Sequence, residues 1–211
     1  MNLKIFYLSF GVWFNNMERL ILASSSPRRR DLLNSIGVKF EVIESNFDES
    51  ILERRKIPTE FVTASAYGKA SDVFDRTDHG IVLAADTVVV FEDEIYGKPK
   101  DEDDARRMLR KFNNDVHEVM TGVVLMGREG ETVITREVTE VFFNKLEDDD
   151  IEAYIKTKDY IGKAGAYGIQ GKGAVLIRGI KGSYSNVVGL PIDTVCRMLK
   201  QLDESIYDRW S

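Results

Sequence analysis

The chain has few of the residues that build covalent cross-links or transition-metal sites. Its 211 residues include one cysteine, Cys196, and two histidines, His79 and His117. A single cysteine excludes an internal disulfide framework and a cysteine zinc site, and it fits a reducing cytoplasm. Neither histidine has a partner at metal-ligand spacing, so a histidine zinc site and a Ser-His-Asp triad are poorly supported. We interpret His117 as a structural hydrogen-bonding residue and Cys196 as a core residue.

Long apolar runs and a positive overall charge are missing too. The apolar segment 5–14 is too short to cross a bilayer, and no small-residue cleavage site follows it. A strand-like segment begins soon afterwards, so we predict that residues 1–16 are a non-native or disordered extension, that Met17 is the natural start and that residues 17–211 form a single domain. The net charge of −6 argues against binding of nucleic acid polymers. A phosphate ligand would need basic residues concentrated in one cleft.

Strand-like and helix-like segments alternate along the chain, which predicts an α/β fold with a mixed, twisted β-sheet flanked by helices. One β-rich run, 81–91, is interrupted by Asp86, and 116–126 with 132–143 reads as a hairpin. Asp101 is placed to cap a helix that ends near residue 112. The other predicted strands are 20–23, 38–43 and 174–180, and the other predicted helices are 27–36, one from Pro58, 146–156 and 191–202.

The segment 24–30, SSSPRRR, predicts an anion site. It follows a predicted strand with hydroxyl groups, a helix-starting proline and then arginines, so free backbone N–H groups point at whatever lies in front of the helix. Arginines in a first turn oppose the helix dipole, whereas Arg28 and Arg29 could fork onto phosphate oxygens. The alternative interpretation is a solvated basic turn capped by Ser26.

Carboxylates and lysines for phosphate chemistry are found further along. Asp86 lies inside an apolar strand, where burial without a partner would be costly, so we favour a functional carboxylate. Asp48 and Glu49 could complete a site for a divalent ion, although loop solvation is the favoured explanation when they are taken alone. Lys69 and Lys98 read singly as surface residues, and together with the arginines they could supply positive charge for a triphosphate.

A glycine-rich segment, 163–173, allows close approach of the backbone to a flat ligand. Within it, Gln170 offers an acceptor and two donors that match the O4 and N3–H edge of uracil or thymine. A rotated amide would match cytosine, so base choice requires something to fix its orientation. The alternative is a tight loop with a surface glutamine.

Six motifs, taken in order, resemble the Maf family of nucleotide pyrophosphatases. The resemblance extends from about Met17 to the C-terminus, and the AGAYGIQG form is similar to the dTTP/UTP branch rather than the 7-methyl-GTP branch. The motifs are SSSPRRRDLL at 24–33, AADTV at 84–88, GKP at 97–99, HEVMTGV at 117–123, KAGAYGIQG at 163–171 and GSYSNVVGLP at 182–191.

The resemblance implies an ITPase-like fold with two lobes around a central cleft, a cytoplasmic location and a divalent cation, Mg²⁺ or Mn²⁺. It implies hydrolysis of dTTP and UTP to the monophosphate and diphosphate, extends to modified pyrimidine nucleotides, and allows for a homodimer. By position, Asp86 matches the family's proton acceptor and a metal ligand. The other matching positions are Arg28, Thr87 and Gln170 for substrate specificity, and Ser24, Glu49, Lys69 and Lys98 for the phosphate and metal site.

Two rival functions are open at this point. The first is the same reaction on another base, such as a 7-methyl-GTP or modified-nucleotide pyrophosphatase. The second is a nucleotide-binding regulator of cell division and septum formation without turnover. Diphosphate release across a panel of triphosphates separates all three, because a regulator would bind a nucleotide without cleaving it.

Overall fold

A single seven-stranded sheet organises the protein in the computed structural model, which describes residues 18–52, 57–127, 130–202 and 204–210. The predicted extension 1–16 and the proposed start at Met17 lie outside these residues. The strands are β1 Leu20–Leu22, β2 Glu41–Val42, β3 Ile81–Phe91, β4 Glu94–Tyr96, β5 Val116–Met126, β6 Thr132–Phe143 and β7 Ile177–Lys181.

Six α-helices and four short 3-10 helices surround the sheet in the described part of the chain. The α-helices are α1 Pro27–Ser35, α2 Pro58–Phe74, α3 Glu102–Phe112, α4 Asp148–Lys156, α5 Tyr184–Val188 and α6 Ile192–Lys200. The 3-10 helices are Glu49–Ile51, Ala164–Ala166, Gly171–Leu176 and Tyr207–Arg209. None of the described helices is both long and apolar enough to span a bilayer.

The sheet is mixed, as predicted. Its strand order is β2-β1-β3-β5-β6-β7, with β4 paired to β3 beside this path. Strand β1 runs parallel to both β2 and β3, and the remaining pairs are antiparallel. Residues 23–26 join β1 to α1, so the start of α1 lies beyond the C-terminal end of β1, next to the middle of β3.

Alternating side chains of β1 and β3 cover both faces of this part of the sheet. Leu20 and Leu22 pack under α1 and α6, whereas Ile21 and Ala23 pack under α2. A separate aromatic cluster lies farther along β3, β5 and β6, under α3 and α4. The two eleven-residue strands β3 and β5 therefore run through both packing centres. Residues 86–89 of β3 and Val119 of β5 line the cleft described below.

Several predicted boundaries differ from the structure. The predicted strand 38–43 shrinks to Glu41–Val42, because Val38 forms an isolated bridge with Trp210 instead of joining the sheet. The predicted strand 174–180 begins only at Ile177, after a 3-10 helix, and α5 was not predicted. Strand β3 is not interrupted at Asp86, which pairs in register with Gly122.

Candidate active site

One cleft brings together all the residues predicted from the sequence for phosphate chemistry except Asp48. It has a volume of about 780 Å³ and lies between the start of α1, the middle of β3, the turn after β4 and the glycine-rich segment. The predicted site residues along its wall are Ser24, Arg28, Arg29, Glu49, Lys69, Asp86, Thr87, Lys98 and Gln170. The acid from mid-chain and the cationic start of α1 thus face the same space.

Close packing of α2 on the sheet brings the central lysine to Asp86. Gly122 lies opposite Asp86 on β5, and a Cβ atom there would come within 2.3 Å of the Val62 carbonyl oxygen in α2. The missing side chain therefore lets the helix backbone lie against the strand. Two turns farther along α2, Lys69 reaches the carboxylate of Asp86.

Lys69 joins two carboxylates at the centre of the cleft. Its Nζ lies 2.6 Å from Asp86 Oδ1 and 2.7 Å from Glu49 Oε1. The side chains of Lys69 and Asp86 are 14% and 10% exposed. This ion pair answers the question that the sequence posed for Asp86, because a charge buried to this extent requires a partner of opposite sign.

Glu49 is held over α2 by contacts that could not be predicted from the sequence. The ring of Phe47 packs where Gly68 has no side chain, and a Cβ atom at Gly68 would lie 2.4 Å from that ring. The Asn46 N–H donates to Asp72 of α2 over 2.8 Å. These contacts bring Glu49 next to Lys69 and leave its neighbour Asp48 outside the cleft lining.

Asp48, which we considered as a second metal ligand, has a different position. Its side chain is exposed and accepts the Ser50 N–H over 2.9 Å, so it caps the short helix Glu49–Ile51. The hydrogen bonds from Ser50 lower the pKa of Asp48. Of the Asp48–Glu49 pair, only Glu49 contributes to the cleft.

From the sequence we expected Arg29 to fork toward a phosphate in the open cleft. In the structure its side chain is directed into the protein. Its Nε donates to the Gly189 carbonyl over 2.8 Å, and its two terminal nitrogens donate to Ser24 Oγ and Thr87 Oγ1, each over 3.1 Å. Burial lowers the pKa of Arg29, and the nearby Asp86 charge offsets part of this effect. A guanidinium has five N–H donors, so two are left for a ligand.

Thr87 belongs to the same buried network. Its hydroxyl oxygen lies 2.9 Å from that of Thr121 and also accepts from Arg29. It can donate in turn to the Gly189 carbonyl over 3.3 Å. The hydroxyl of Thr87 is thus largely occupied by protein groups, although the residue lines the cleft.

The start of α1 presents donors to the cleft. The first backbone bond of the helix runs from the Arg30 N–H to the Ser26 carbonyl, and Pro27 has no N–H, so the N–H groups of Arg28 and Arg29 precede the helical ladder. Ser24 Oγ accepts from Arg29 and from the Ser26 N–H, which leaves its hydrogen for a ligand.

Two further cations flank this edge. Arg28 reaches across the cleft and donates to the Gly162 carbonyl over 3.2 Å. Burial lowers the pKa of Arg28, while the negative charge of Asp159 opposes that shift. Lys98 is exposed, and it forms no ion pair within the described residues.

Asp159, which belongs to none of the predicted site motifs, organises the glycine-rich segment. Its Oδ1 accepts from Lys163 Nζ over 2.7 Å, and its Oδ2 accepts the Gly173 N–H over 3.3 Å. A Cβ atom at Gly173 would lie 2.2 Å from the Gly168 carbonyl oxygen, so the turn closes tightly. An aspartate that follows a helix looks solvated in a sequence, and only the folded chain reveals these partners.

Gln170 lies exposed on the wall of the cleft. Its amide forms no hydrogen bond to the described residues, so none of them fixes the amide orientation. Nearby, Tyr167 is buried, and its hydroxyl lies 2.6 Å from His117 Nε2. Burial lowers the pKa of His117 to about 4, and the ring is neutral in an aromatic cluster beyond the cleft lining. This environment matches a structural role for His117.

The donor set fits a magnesium-type cation. Asp86 and Glu49 supply hard carboxylate oxygens that already converge on a positive charge. No group of three or more His, Cys, Asp or Glu side chains suited to a metal occurs among the described residues. Mg²⁺ is commonly held by one or two carboxylates together with substrate phosphates and water, so two carboxylates in a phosphate-sized cleft are sufficient.

Comparisons with known proteins agree with this picture. Residues 19–202 match the family model described as "Maf-like protein". Three similar proteins are each named dTTP/UTP pyrophosphatase. They come from Ruminiclostridium cellulolyticum (47% identity, covering 90% of this chain and 99% of that protein), Alkaliphilus metalliredigens (51%, 83% and 92%) and Bacillus cytotoxicus (48%, 89% and 97%).

Among solved structures, a HAM1 protein from Coxiella burnetii aligns over 88% of this chain and 100% of its own. The TM-score is 0.45 and the identity is 14%, values too low to support an argument. The family match and the identity to the three relatives, each extending over most of the chain, decide the assignment: this chain belongs to the Maf family.

Proposed function

We propose that the protein hydrolyses dTTP and UTP to the nucleoside monophosphate and diphosphate in a metal-dependent reaction. One observation carries the proposal: the Asp86–Lys69–Glu49 cluster faces the donor-rich start of α1 across a single cleft. The shared name of the three relatives supports the choice of reaction and of substrates.

The cleft offers a triphosphate a graded set of donors. The backbone N–H groups at the start of α1 and the Ser24 hydroxyl suit phosphate oxygens, because a helix N-terminus favours negative charge. Arg28 and Lys98 add positive charge from two sides. Arg29 contributes its charge from behind, and two of its five donors hold Ser24 and Thr87 in place.

Asp86 is the proposed proton acceptor. Its Oδ1 pairs with Lys69, and Oδ2 has no hydrogen bond within the described residues, so Oδ2 is available to a water molecule. Asp86 takes a proton from this water as the water oxygen bonds to the α-phosphorus. The bond to the bridging oxygen breaks, and diphosphate leaves with the electron pair.

Asp86 and Glu49 would hold the divalent cation, Mg²⁺ or Mn²⁺. When bound, such a cation neutralises phosphate charge and polarises the phosphoryl oxygens. The lysines and arginines of the cleft act in the same direction on the charge that builds up on the leaving diphosphate.

Gln170, Arg28 and Thr87 are the proposed determinants of the base. The Gln170 amide can donate to O4 of uracil or thymine and accept from N3–H. Because no described residue orients this amide, we propose that a contact formed only in the nucleotide complex fixes it in the orientation that selects uracil or thymine over cytosine. Thr87 would act through the position that its hydrogen bonds impose, since its hydroxyl is already engaged.

The proposal includes a cytoplasmic location, which fits a chain with one cysteine, and a homodimeric state that the family allows for. Size-exclusion chromatography with light scattering reports the dimer. A monomer across the micromolar range would contradict it.

A substrate panel tests the reaction itself. Diphosphate release is measured with dTTP, UTP, CTP, dCTP, GTP and 7-methyl-GTP in Mg²⁺, in Mn²⁺ and in excess chelator. We expect dTTP and UTP to be cleaved fastest and the chelator to abolish turnover. A preference for 7-methyl-GTP would assign another substrate, and nucleotide binding without diphosphate release would indicate a regulator.

A further inference from the structure

We propose that Lys69 is a placeholder for the divalent cation: its ammonium group fills the position between Asp86 and Glu49, and it leaves this position when the cation binds. The inference rests on the proposed function, because it concerns the metal site of the same reaction. It gives Lys69 a second task beyond contact with phosphate.

The geometry makes the two cations compete for the same space. Asp86 Oδ1 and Glu49 Oε1 both lie within 2.7 Å of one nitrogen atom, Lys69 Nζ. Mg²⁺ binds oxygen ligands at about 2.0–2.1 Å, so a cation shared by the same two oxygens would occupy nearly the volume of that nitrogen. Both cannot be there together.

Charge balance gives the same result. With Lys69 in place, its ammonium and the nearby guanidinium of Arg29 balance the two carboxylates. A divalent cation neutralises both carboxylates, and the displaced ammonium then becomes surplus positive charge inside a partly buried cleft. A triphosphate supplies the negative charge that this surplus requires, so metal and nucleotide bind together more readily than metal alone.

The surroundings of Lys69 allow such a movement. Its backbone is fixed, because α2 packs on β5 at Gly122 and against Phe47 at Gly68. The side chain is a flexible four-carbon arm, which can move its charge without moving the helix. Lys98 lies in the same cleft without a carboxylate partner, and it therefore provides a matched cation that holds no place.

Binding of Mn²⁺ to nucleotide-free protein tests the proposal, with free Mn²⁺ measured by electron paramagnetic resonance. We expect Lys69→Met to tighten Mn²⁺ binding by about tenfold or more, since the competing cation is gone. Lys98→Met should change the affinity by less than about threefold, because Lys98 pairs with neither of the two carboxylates. An affinity of Lys69→Met that is equal to that of Lys98→Met, or weaker than wild type, would overturn the proposal.

A second measurement uses the wild-type protein and does not depend on the folding of the variant. Lysine ammonium groups in stable ion pairs give resolved ¹⁵N signals, and that of Lys69 is assigned in the wild-type protein by tracing its side-chain spin system from Nζ to its backbone amide in α2. Addition of Mg²⁺ without nucleotide should shift or broaden this signal and leave that of Lys163, paired to Asp159, unchanged. An unchanged Lys69 signal at saturating Mg²⁺ would show that the lysine stays in place.

Diphosphate release by the wild-type enzyme is recorded in parallel. Absence of release with every metal and triphosphate would refute the proposed function, whatever the Mn²⁺ titrations show. Normal release combined with unchanged Mn²⁺ affinity in Lys69→Met would refute only the placeholder.

Discussion

Two cations, the half-buried Lys69 and the buried Arg209, lie near opposite ends of β1, and they differ in what surrounds them. Lys69 faces the cleft beyond the C-terminal end of β1, and a ligand can reach its carboxylate partners. Arg209 lies by the N-terminal end, only 1% exposed, and donates to the Glu18 carbonyl over 2.5 Å and to Glu204 over 2.7 Å. The first arrangement can exchange its ions, whereas the second fastens the C-terminal segment to the start of the sheet.

A charge shielded from solvent is therefore not in itself a sign of function. Both cations satisfy the same electrostatic requirement for an opposite partner. Only the Lys69 site opens onto a space with further unsatisfied donors at the start of α1. Mutations at the two ends should therefore separate activity from stability.

The largest effect should follow Asp86→Asn, which changes the carboxylate paired with Lys69 in the cleft. We expect diphosphate release to fall by about a thousandfold or more, because the amide neither accepts a proton nor holds a cation as the carboxylate does. The melting temperature should stay within a few degrees of wild type. The control is Asp103→Asn, which removes an exposed carboxylate on α3. Near-normal turnover in Asp86→Asn would rule out both roles of this residue.

Arg209→Met removes the buried cation near the N-terminal end of β1. The change leaves Glu204 without its cation and the Glu18 carbonyl without its donor, and we expect a loss of about 3 kcal/mol in the free energy of unfolding. Urea denaturation measures this loss. Turnover per folded molecule should be unchanged, and Glu204→Gln added to Arg209→Met should restore part of the stability. A variant with normal stability and impaired turnover would reverse the comparison.

The comparison also shows how far the sequence could be read. The long elements β3, β5, β6 and α3 were predictable because their apolar periodicity and the Asp101 cap are local signals. The convergence of Asp86 with the start of α1 followed from the order of motifs. For the long elements the decisive information lies within about ten neighbouring residues, whereas the convergence was expected from motifs spread over the whole chain.

Other features of the site depend on distant parts of the chain. Arg28 and Arg29 look equivalent in the sequence, but successive helical residues point about 100° apart, and only Arg29 turns toward Thr87 and Gly189. Asp159 gains its role from Gly173 and from the charge of Arg28, which lies at the other end of the chain. No local pattern encodes these contacts.

His117 is a buried titratable group of a different kind, because it is neutral and not paired with an opposite charge. Burial lowers its pKa from 6.5 to about 4, so the unfolded chain binds this proton at a higher pH than the folded chain. Its contribution to stability is complete above pH 6.5 and is lost as the pH falls toward 4. At pH 5 the loss should be about 2 kcal/mol.

Unfolding free energies at pH 7.5 and pH 5 measure this component. His117→Phe keeps an aromatic ring in the cluster and removes the titrating group, so it should lose less stability between the two pH values than wild type does. The control is His79→Gln, which changes the exposed second histidine and should follow wild type. Equal pH dependence in wild type and His117→Phe would contradict this account.

Gln170→Ala should have the smallest effect, and it tests how the cleft distinguishes one base from another. Loss of the amide removes one pair of hydrogen bonds to the base and leaves the phosphate and metal groups intact, so the preference for UTP over CTP should fall by about tenfold. Turnover of UTP should decline less than the preference does. Lys172→Ala, an exposed residue of the same segment outside the cleft lining, serves as the control. Equal loss of UTP and CTP turnover in Gln170→Ala would show that the amide positions the nucleotide and does not distinguish its base. The selectivity of the cleft for the base would then depend on Arg28 and Thr87.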